Sequence, residues 1–251
     1  MSELSEQDRS GVRRAEPPRV AAIVPAYNEQ ETLADVITVL KATRMVDEIL
    51  VVSDGSTDET VHVSRSLRTK TIHLRRNYGK AMAMAIGVSH TEAPVVLFVD
   101  GDILNLSEYL LGQLIEPVVS GSAEMAIGIR HRGWLLNWIH AHTGPHLSGI
   151  RCLRREIFEA VPEEYLQGYT VETALNWAGR QLGMRITTTV LCNLRHMIKE
   201  RKRGLAAGTR DRFDMFAAVF SAWLALTWKR PGLRRGEPSR LARPELDYIN
   251  W

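Results

Sequence analysis

The stretch PVVLFVDGDI, residues 94–103, decides the fold class of this chain. An unbroken apolar run from Val95 to Val99 is followed at once by two aspartates that a single glycine separates. A short apolar run without alternation is typical of a strand buried on both faces of a parallel sheet. Because ligands of such sheets bind at the carboxyl ends of the strands, we expect Asp100 and Asp102 to lie beside a ligand.

Three other apolar runs precede this strand and alternate with helical patterns. The predicted strands are RVAAIVPAYNE at 19–29, breaking at Pro25 into a loop, EILVV at 48–52 and TIHL at 71–74. The predicted helices are ETLADVITVLKAT at 31–43, a helix over 58–67 with Thr57 or Asp58 near its cap, and GKAMAMAIGVS at 79–89. This alternation predicts an α/β fold, a Rossmann-like and mostly parallel sheet flanked by helices.

Length and composition favour one large domain. A chain of 251 residues that is 45% hydrophobic can bury a substantial core. Residues 1–18 are polar and predict a disordered lead-in, residues 19–205 form the predicted domain, and residues 206–251 a helical and basic C-terminal extension. From residue 195 onward, thirteen Lys and Arg stand against six Asp and Glu, although the whole chain carries only +3. This basic end favours phosphate-bearing ligands or an anionic membrane surface.

The compartment follows from the N-terminus and the cysteines. Residues 1–10 lack the apolar core of a secretory signal, and Cys152 and Cys192 have no disulfide or zinc spacing. We expect a cytoplasmic protein with both cysteines as small buried hydrophobes. The apolar segment 215–228 is too short to span a membrane and leaves open a core helix or a helix lying on a membrane surface. No nucleic-acid-binding motif accompanies the basic end, so nucleic acid is not an expected partner.

Two neighbouring carboxylates predict a metal site. In extended backbone, Asp100 and Asp102 would project to the same side. At an effective dielectric near 20, two such charges about 4 Å apart repel by roughly 4 kcal/mol, which a divalent cation would relieve. Mg²⁺ or Mn²⁺, bridging the carboxylates to a diphosphate, is the natural choice. The alternative is a solvated turn at the strand end.

Two further loop residues suit a nucleotide ligand. Lys80 stands just before a predicted helix and could place its ammonium and nearby N–H groups against phosphate. Asp54, in SDGSTD, could accept a hydrogen bond from a base or a ribose hydroxyl. The alternative for that loop is helix capping, which accounts for Thr57 and Asp58 better than for Asp54.

Together these loops resemble the family 2 glycosyltransferases, enzymes of the GT-A fold that use nucleotide-sugar donors. The resemblance rests on IVPAYNEQETL, VVSDGSTDET, NYGKAMAMAIG and VLFVDGD, and it extends over about residues 19–200. It implies a donor-binding set made of Pro25, Ala26, Tyr27, Asn28, Glu29, Asp54, Lys80, Asp100 and Gly101. It also implies that Asp100 and Asp102 form the metal-binding D-x-D motif.

The second half is similar to polyprenyl-phosphate sugar transferases and glucosyl-phosphoglycerate synthases, through LSGIRCLRREIF at 147–158 and GYTVETALNWA at 168–178. This similarity implies that Glu172 is a catalytic acidic residue near the acceptor, where its carboxylate would act as a base, and that His196 is a further metal ligand. It also implies that Arg201 and Arg203, within a basic run, bind the diphosphate. The alternatives are a first-turn helix acid, a structural histidine and a solvated face. A cluster at 140–146 with three histidines is interpreted as an acceptor-pocket loop, and the alternative is a metal site.

The resulting prediction is a hexosyltransferase that uses Mg²⁺ or Mn²⁺ and moves a sugar from a nucleoside-diphosphate sugar, expected to be a UDP-sugar, to a hydroxyl acceptor. The alternative acceptor is a polyprenyl phosphate, dolichyl or undecaprenyl, at the membrane surface. A phosphatase that uses D-x-D is disfavoured because Ile103 and Leu104 follow where a threonine is usual. The acceptor, peripheral membrane contact and homo-oligomer formation stay open at this point.

Overall fold

We analysed a computed structural model of the chain. It describes residues 17–130, 148–166, 170–191, 194–196, 221–222, 224–226, 228, 231–233 and 246–249. The helices over these residues are α1 Leu33–Ala42, α2 Thr60–Ser66, α3 Lys80–Ser89, α4 Glu108–Val119, α5 Arg155–Glu159 and α6 Val171–Gln181, with a 3-10 turn at Glu163–Tyr165. The strands are β1 Val20–Ala26, β2 Glu48–Ser53, β3 Lys70–Leu74, β4 Val95–Phe98, β5 Ile103–Leu104, β6 Met125–Arg130, β7 Arg151–Arg154, β8 Ile186–Leu191, β9 Arg195–His196 and β10 Leu246–Ile249.

In the described part of the chain, eight strands form one sheet in the order β10-β3-β2-β1-β4-β7-β6-β8. The pairs β1–β2, β1–β4, β2–β3 and β6–β8 are parallel. The strands β7 and β10 run against their neighbours. The sheet is therefore mostly parallel and continuous, which confirms the predicted fold class and the single domain.

Alternate side chains of each central strand enter one of two apolar layers. Ile23 of β1 packs in the layer with α3, α5 and α6, whereas Val24 packs in the layer with α1 and α4. Both residues are fully buried. The stripe predicted for α1 is also buried, at Leu33, Val36, Ile37 and Leu40. Helices cover both faces of the sheet, so ligands have access only at its edges.

Two predicted boundaries differ from the structure. β1 does not break at Pro25 but continues to Ala26, because its pairing with β4 ends at Ile23 and a proline beyond that point removes no ladder bond to that strand. In the extension predicted to be helical, Leu246–Ile249 is a strand that pairs antiparallel with β3. That part of the extension belongs to the main sheet. The boundary at residue 205 stays a prediction.

Two further sequence expectations concern the burial of the cysteines and the presence of a membrane-spanning helix. Cys152 lies in the core, and burial raises the pKa of its thiol, as befits a small buried hydrophobe. Cys192 and the segment 1–16 lie outside the described residues. None of the described helices combines the length and hydropathy that a membrane span requires.

Candidate active site

The predicted loops meet at one edge of the sheet. β1 lies between β2 and β4 and is parallel to both, so the three strands end side by side. The loops that follow them carry Tyr27, Asp54 and Asp100, respectively. The loop before α3 joins the same edge because it begins after β3, the next parallel strand. Four sequence motifs separated along the chain therefore form one surface.

Side-chain to backbone hydrogen bonds connect the first two loops. The backbone N–H of Asn28 donates to Ser56 Oγ at 3.1 Å, and the N–H of Thr57 donates to Asn28 Oδ1 at 2.9 Å. The N–H of Glu29 donates to Thr60 Oγ1 at 2.8 Å. Asn28 adopts a left-handed conformation with φ of 56°, which asparagine tolerates better than most residues. Asn28 and Glu29 are thus held in position before any ligand binds.

The D-x-D segment is a turn rather than extended backbone, which corrects one sequence expectation. β4 ends at Phe98, and Gly101 and Asp102 form a turn. Thr32 Oγ1, at the start of α1, donates to the carbonyl oxygen of Gly101 at 2.7 Å. A Cβ on Gly101 would lie only 3.3 Å from the Cβ of Ala26. The first loop and the D-x-D turn are therefore in tight contact.

Asp54 joins the second loop to the loop before α3. Its carboxylate is buried, and its two oxygens accept the backbone N–H groups of Tyr78 at 2.7 Å and Gly79 at 2.8 Å. Burial raises the pKa of Asp54, although the two N–H donors act in the opposite direction. Asp58, in the same loop, accepts from the N–H of Thr60 at 3.0 Å beside the start of α2, whereas the N-cap residue Glu59 makes no side-chain capping bond. Asp54 has a different role: it positions the residues that precede Lys80.

Lys80 links the D-x-D motif to the second half of the chain. Its Nζ lies 2.7 Å from Asp100 Oδ1 and 3.1 Å from Glu172 Oε1. The Asp100 and Glu172 side chains are 19% and 13% exposed, so water screens these pairs only partly. Burial alone would lower the pKa of Lys80, but the two carboxylates outweigh it and raise the pKa above its ordinary value. Lys80 is charged at any physiological pH.

Glu172 lies in the first turn of α6 and is held as a carboxylate. Burial would raise its pKa, but the charges of Lys80 and Arg151 outweigh burial and lower it. The sequence predicts that Glu172 lies near the acceptor. In the structure, Glu172 contacts Lys80, the lysine that also contacts Asp100. A lowered pKa makes Glu172 a weaker proton acceptor than an unpaired glutamate.

Arg151 is a fully buried cation behind this pair. Its guanidinium donates to the carbonyl oxygen of Ser148 at 2.6 Å and 3.1 Å, to that of Glu172 at 3.2 Å, and to Asn176 Oδ1 at 3.2 Å. Burial lowers the pKa of Arg151, while the charges of Glu172 and Asp100 raise it. The arginine thus ties the segment before β7 to the first turns of α6.

The backbone of Gly149 borders the Asp100 carboxylate. A Cβ at this position would lie 2.0 Å from Asp100 Oδ2 and 2.4 Å from Lys80 Nζ, so only glycine fits without displacing them. Cross-strand register explains the approach, because Phe98 pairs with Arg151 and two steps further on Asp100 faces Gly149. The segment LSGIRCLRREIF carries part of the family similarity, but the sequence predicts no role for Gly149 or Arg151. No local pattern marks them, although a glycine and an arginine beside an apolar strand are an unusual pairing.

His196, predicted as a late metal ligand, lies in β9, whose backbone pairs with β5. His196 is opposite Ile103, the residue that follows Asp102. The backbone therefore brings residue 196 next to the D-x-D turn. Among the residues that the structure describes, no group of three His, Cys, Asp or Glu side chains is placed to hold a metal ion by itself. The predicted diphosphate contacts Arg201 and Arg203 and the histidine-rich loop at 140–146 lie outside those residues.

An α/β sheet with acidic loops at the carboxyl ends of its strands is an architecture that binds its ligands at that edge. The sequence profile of glycosyl transferase family 2 matches residues 21–159, more than half of the chain. The chain belongs to this family and is a glycosyltransferase.

Solved structures share the fold over most of this chain. Glucosyl-3-phosphoglycerate synthase from Mycobacterium tuberculosis, in complex with Mn²⁺, UDP-glucose and phosphoglyceric acid, superposes with a TM-score of 0.69 at 22% identity, over 83% of this chain and 79% of that one. The same enzyme with Mn²⁺, UDP-glucose and glycerol 3-phosphate gives a TM-score of 0.68 at 23% identity, over 83% and 79% of the two chains. At these identities the similarity establishes the GT-A fold of the chain.

Proposed function

We propose that this glycosyltransferase moves a hexosyl group from a UDP-sugar to a hydroxyl group of a small acceptor, with Mg²⁺ or Mn²⁺ at the D-x-D turn. The observation that carries the proposal is the contact of Lys80 with both Asp100 and Glu172 at the carboxyl edge of the sheet. It joins the donor loops of the family to the half of the chain that is expected to bind the acceptor.

The donor side of the proposal rests on the joined loops at Asn28, Asp54 and Lys80. Asn28 and Asp54 are held by hydrogen bonds between loops, so the edge is preorganised for a ligand. Lys80 begins α3, where N–H groups and an ammonium together suit a phosphate. The structurally similar synthase from M. tuberculosis is in complex with UDP-glucose, which supports a UDP-sugar here.

The residues present fit a divalent cation. In the described part of the chain, the protein offers the carboxylates of Asp100 and Asp102 but no cluster of three ligating side chains. This suits Mg²⁺ or Mn²⁺, which are bound by one or two carboxylates while water and substrate phosphates supply the remaining oxygens. His196 would join this set, since its backbone is paired beside the turn. Such an ion would neutralise charge that develops on the leaving diphosphate.

The acceptor side of the proposal rests on Glu172. A neutral hydroxyl must lose its proton as the bond to the sugar forms, and a buried carboxylate near the donor can take it. Lys80 holds this carboxylate 3.1 Å away, at the border between the D-x-D turn and α6. Phosphoglyceric acid and glycerol 3-phosphate accompany the related synthase, which supports a small hydroxyl acceptor that carries an anionic group.

One observation favours the second candidate, transfer to a polyprenyl phosphate. The pKa of Glu172 is lowered, which weakens it as a base, and an ionised phosphate acceptor needs no base. A second observation points the same way: Trp228, the last residue of the apolar segment 215–228, is 82% exposed, as an aromatic residue at a membrane surface would be. On this alternative, Glu172 acts by holding Lys80 in position.

The test is a transfer assay with the purified full chain. UDP-glucose is incubated with Mn²⁺ or with a chelator, and each reaction receives phosphoglyceric acid, glycerol 3-phosphate or a polyprenyl phosphate in detergent. Release of UDP and partition of the labelled sugar into water or butanol identify the acceptor class. Metal-dependent transfer into the aqueous product supports the proposal, and label in the organic phase supports the alternative. Binding of the nucleotide without any transfer or hydrolysis would contradict both.

A further inference from the structure

The position of Lys80, at the beginning of a helix, is electrostatically unfavourable for a lysine that has no partner other than the helix. It is the first residue of α3, where the helix dipole disfavours a positive charge. Its ammonium nevertheless contacts Asp100 at 2.7 Å and Glu172 at 3.1 Å, and it is two-thirds buried. The stabilisation of the ammonium therefore comes from the two carboxylates, and the carboxylates in turn have their charge neutralised by the lysine.

One of these carboxylates is also a proposed metal ligand. A divalent cation on Asp100 would place two positive charges beside the Lys80 ammonium, which already contacts the Oδ1 atom of that aspartate. We propose that Lys80 is a stand-in cation: in the donor-free enzyme it neutralises Asp100 and so disfavours binding of the metal alone. This inference rests on the proposed function, because it assumes the metal site at the D-x-D turn.

The diphosphate of the donor removes this conflict. Its negative charges attract both the ammonium and the metal, so Lys80 can leave Asp100 for phosphate while Glu172 keeps the lysine at the site. Metal and nucleotide are then expected to bind jointly, each strengthening the other by the same factor. A metal ion that binds without the nucleotide gains little binding free energy, because Lys80 already neutralises the Asp100 carboxylate.

The experiment measures binding of Mn²⁺ alone and of Mn²⁺ with UDP, by electron paramagnetic resonance of the free ion. The variants are Lys80→Met, which removes the charge, and Lys80→Arg, which keeps it. The matched control is Lys70→Met, because Lys70 forms an equally short pair with Glu48, 2.7 Å apart, at the beginning of β2 and β3 and hence at the opposite edge of the sheet. Circular dichroism verifies that each variant is folded.

We expect Lys80→Met to bind Mn²⁺ alone at least about tenfold more tightly than the wild type, because an adjacent positive charge lowers the proton affinity of a carboxylate by about one to three pKa units and should weaken the binding of a metal cation in the same direction. The enhancement of Mn²⁺ binding by UDP should fall correspondingly. Lys80→Arg, which keeps the charge, should bind Mn²⁺ alone as weakly as the wild type does, and Lys70→Met should behave as the wild type. If Lys80→Met does not fold, the double variant Lys80→Met/Glu172→Gln, which removes one charge of each sign, replaces it with the same expectation.

Two failures are distinguishable. If the wild type binds Mn²⁺ neither alone nor with UDP, the proposed metal-dependent function is wrong. If the wild type binds the two jointly but the charge-removing variant gains no affinity for Mn²⁺ alone, the stand-in role of Lys80 is wrong and the function stands. A gain in Lys80→Arg equal to that in Lys80→Met would also overturn the inference, since charge would then not be the cause.

Discussion

Gly149 approaches Asp100 so closely that a methyl group on its Cα would lie 2.0 Å from Oδ2 of the carboxylate. The same methyl group would lie 2.4 Å from Lys80 Nζ and 2.5 Å from Asp100 Oδ1. All three atoms belong to ends of flexible side chains, so an added methyl group displaces charged groups rather than the core. The glycine is thus a requirement of the site more than of the fold.

We therefore expect Gly149→Ala to impair the site and to leave folding almost unchanged. A displacement of about 1 Å in catalytic groups can lower activity by about a hundredfold. Sugar-transfer rates and thermal unfolding should be measured together. The matched control is Gly112→Ala in α4, where an added Cβ meets nothing within 4 Å. An equal effect of the two substitutions on activity would contradict the role of Gly149.

Asp102→Asn should abolish metal-dependent binding of the nucleotide. The substitution removes one of the two negative charges that would hold the cation, and the diphosphate is then repelled by Asp100. Calorimetric titration of UDP with Mn²⁺ and with a chelator measures the effect. Asp35→Asn, an exposed residue of α1, is the chemical control. Wild-type affinity that a chelator does not change would refute the metal site.

Glu172→Gln separates the two acceptor classes. If the acceptor is a hydroxyl, we expect unchanged nucleotide-sugar affinity and a turnover lowered by at least about a hundredfold, because the amide keeps the shape but not the basicity. Single-turnover transfer and donor binding measure the two quantities. Near-normal transfer would favour a phosphate acceptor. A large loss in the control Glu164→Gln, an exposed residue near α6 in sequence, would assign the base there instead.

Arg201→Ala and Arg203→Ala should weaken binding of the donor or of a phosphorylated acceptor. Charge-assisted hydrogen bonds to phosphate are typically worth about 1.5–3 kcal/mol. The loss should shrink at high salt if the groups are exposed. Titrations at two salt concentrations check this, with Arg44→Ala, an exposed arginine before β2, as the control. If neither variant binds the donor or the phosphorylated acceptor more weakly, the basic run that contains Arg201 and Arg203 belongs to a solvated surface.

Arg151→Met should destabilise the fold strongly, since removing one partner of a buried charge network typically costs about 3–5 kcal/mol. The carbonyl oxygens of Ser148 and Glu172 would lose their buried donor. Urea unfolding measures the change in free energy. Arg185→Met is the control. Arg185 pairs with Glu124 but its side chain is 62% exposed, so the loss of this pair should cost far less stability. If Arg151→Met lowers the free energy of unfolding no more than Arg185→Met does, the Arg151 network adds no stability.

Local sequence patterns determined most of the N-terminal half of the fold. The apolar runs around Val24 and Leu97 and the stripe of α1 predicted the elements, because burial periodicity is a property of neighbouring residues. Strand order then placed Asp54 and Asp100 at one edge, since parallel strands have their carboxyl ends together. The prediction that β1 breaks at Pro25 was wrong, because a strand tolerates a proline where its neighbouring strand has stopped pairing with it.

The sequence by itself determined the fold class, the acidic loops and the edge at which they gather. Only the tertiary structure decided that Lys80 pairs with Glu172, 92 residues away, and that Gly149 faces Asp100. These contacts depend on the antiparallel register of β4 with β7 and on the placement of α6. Neither is encoded in a local period, because long-range pairing reflects how whole layers pack, and a partner can lie at any distance along the chain.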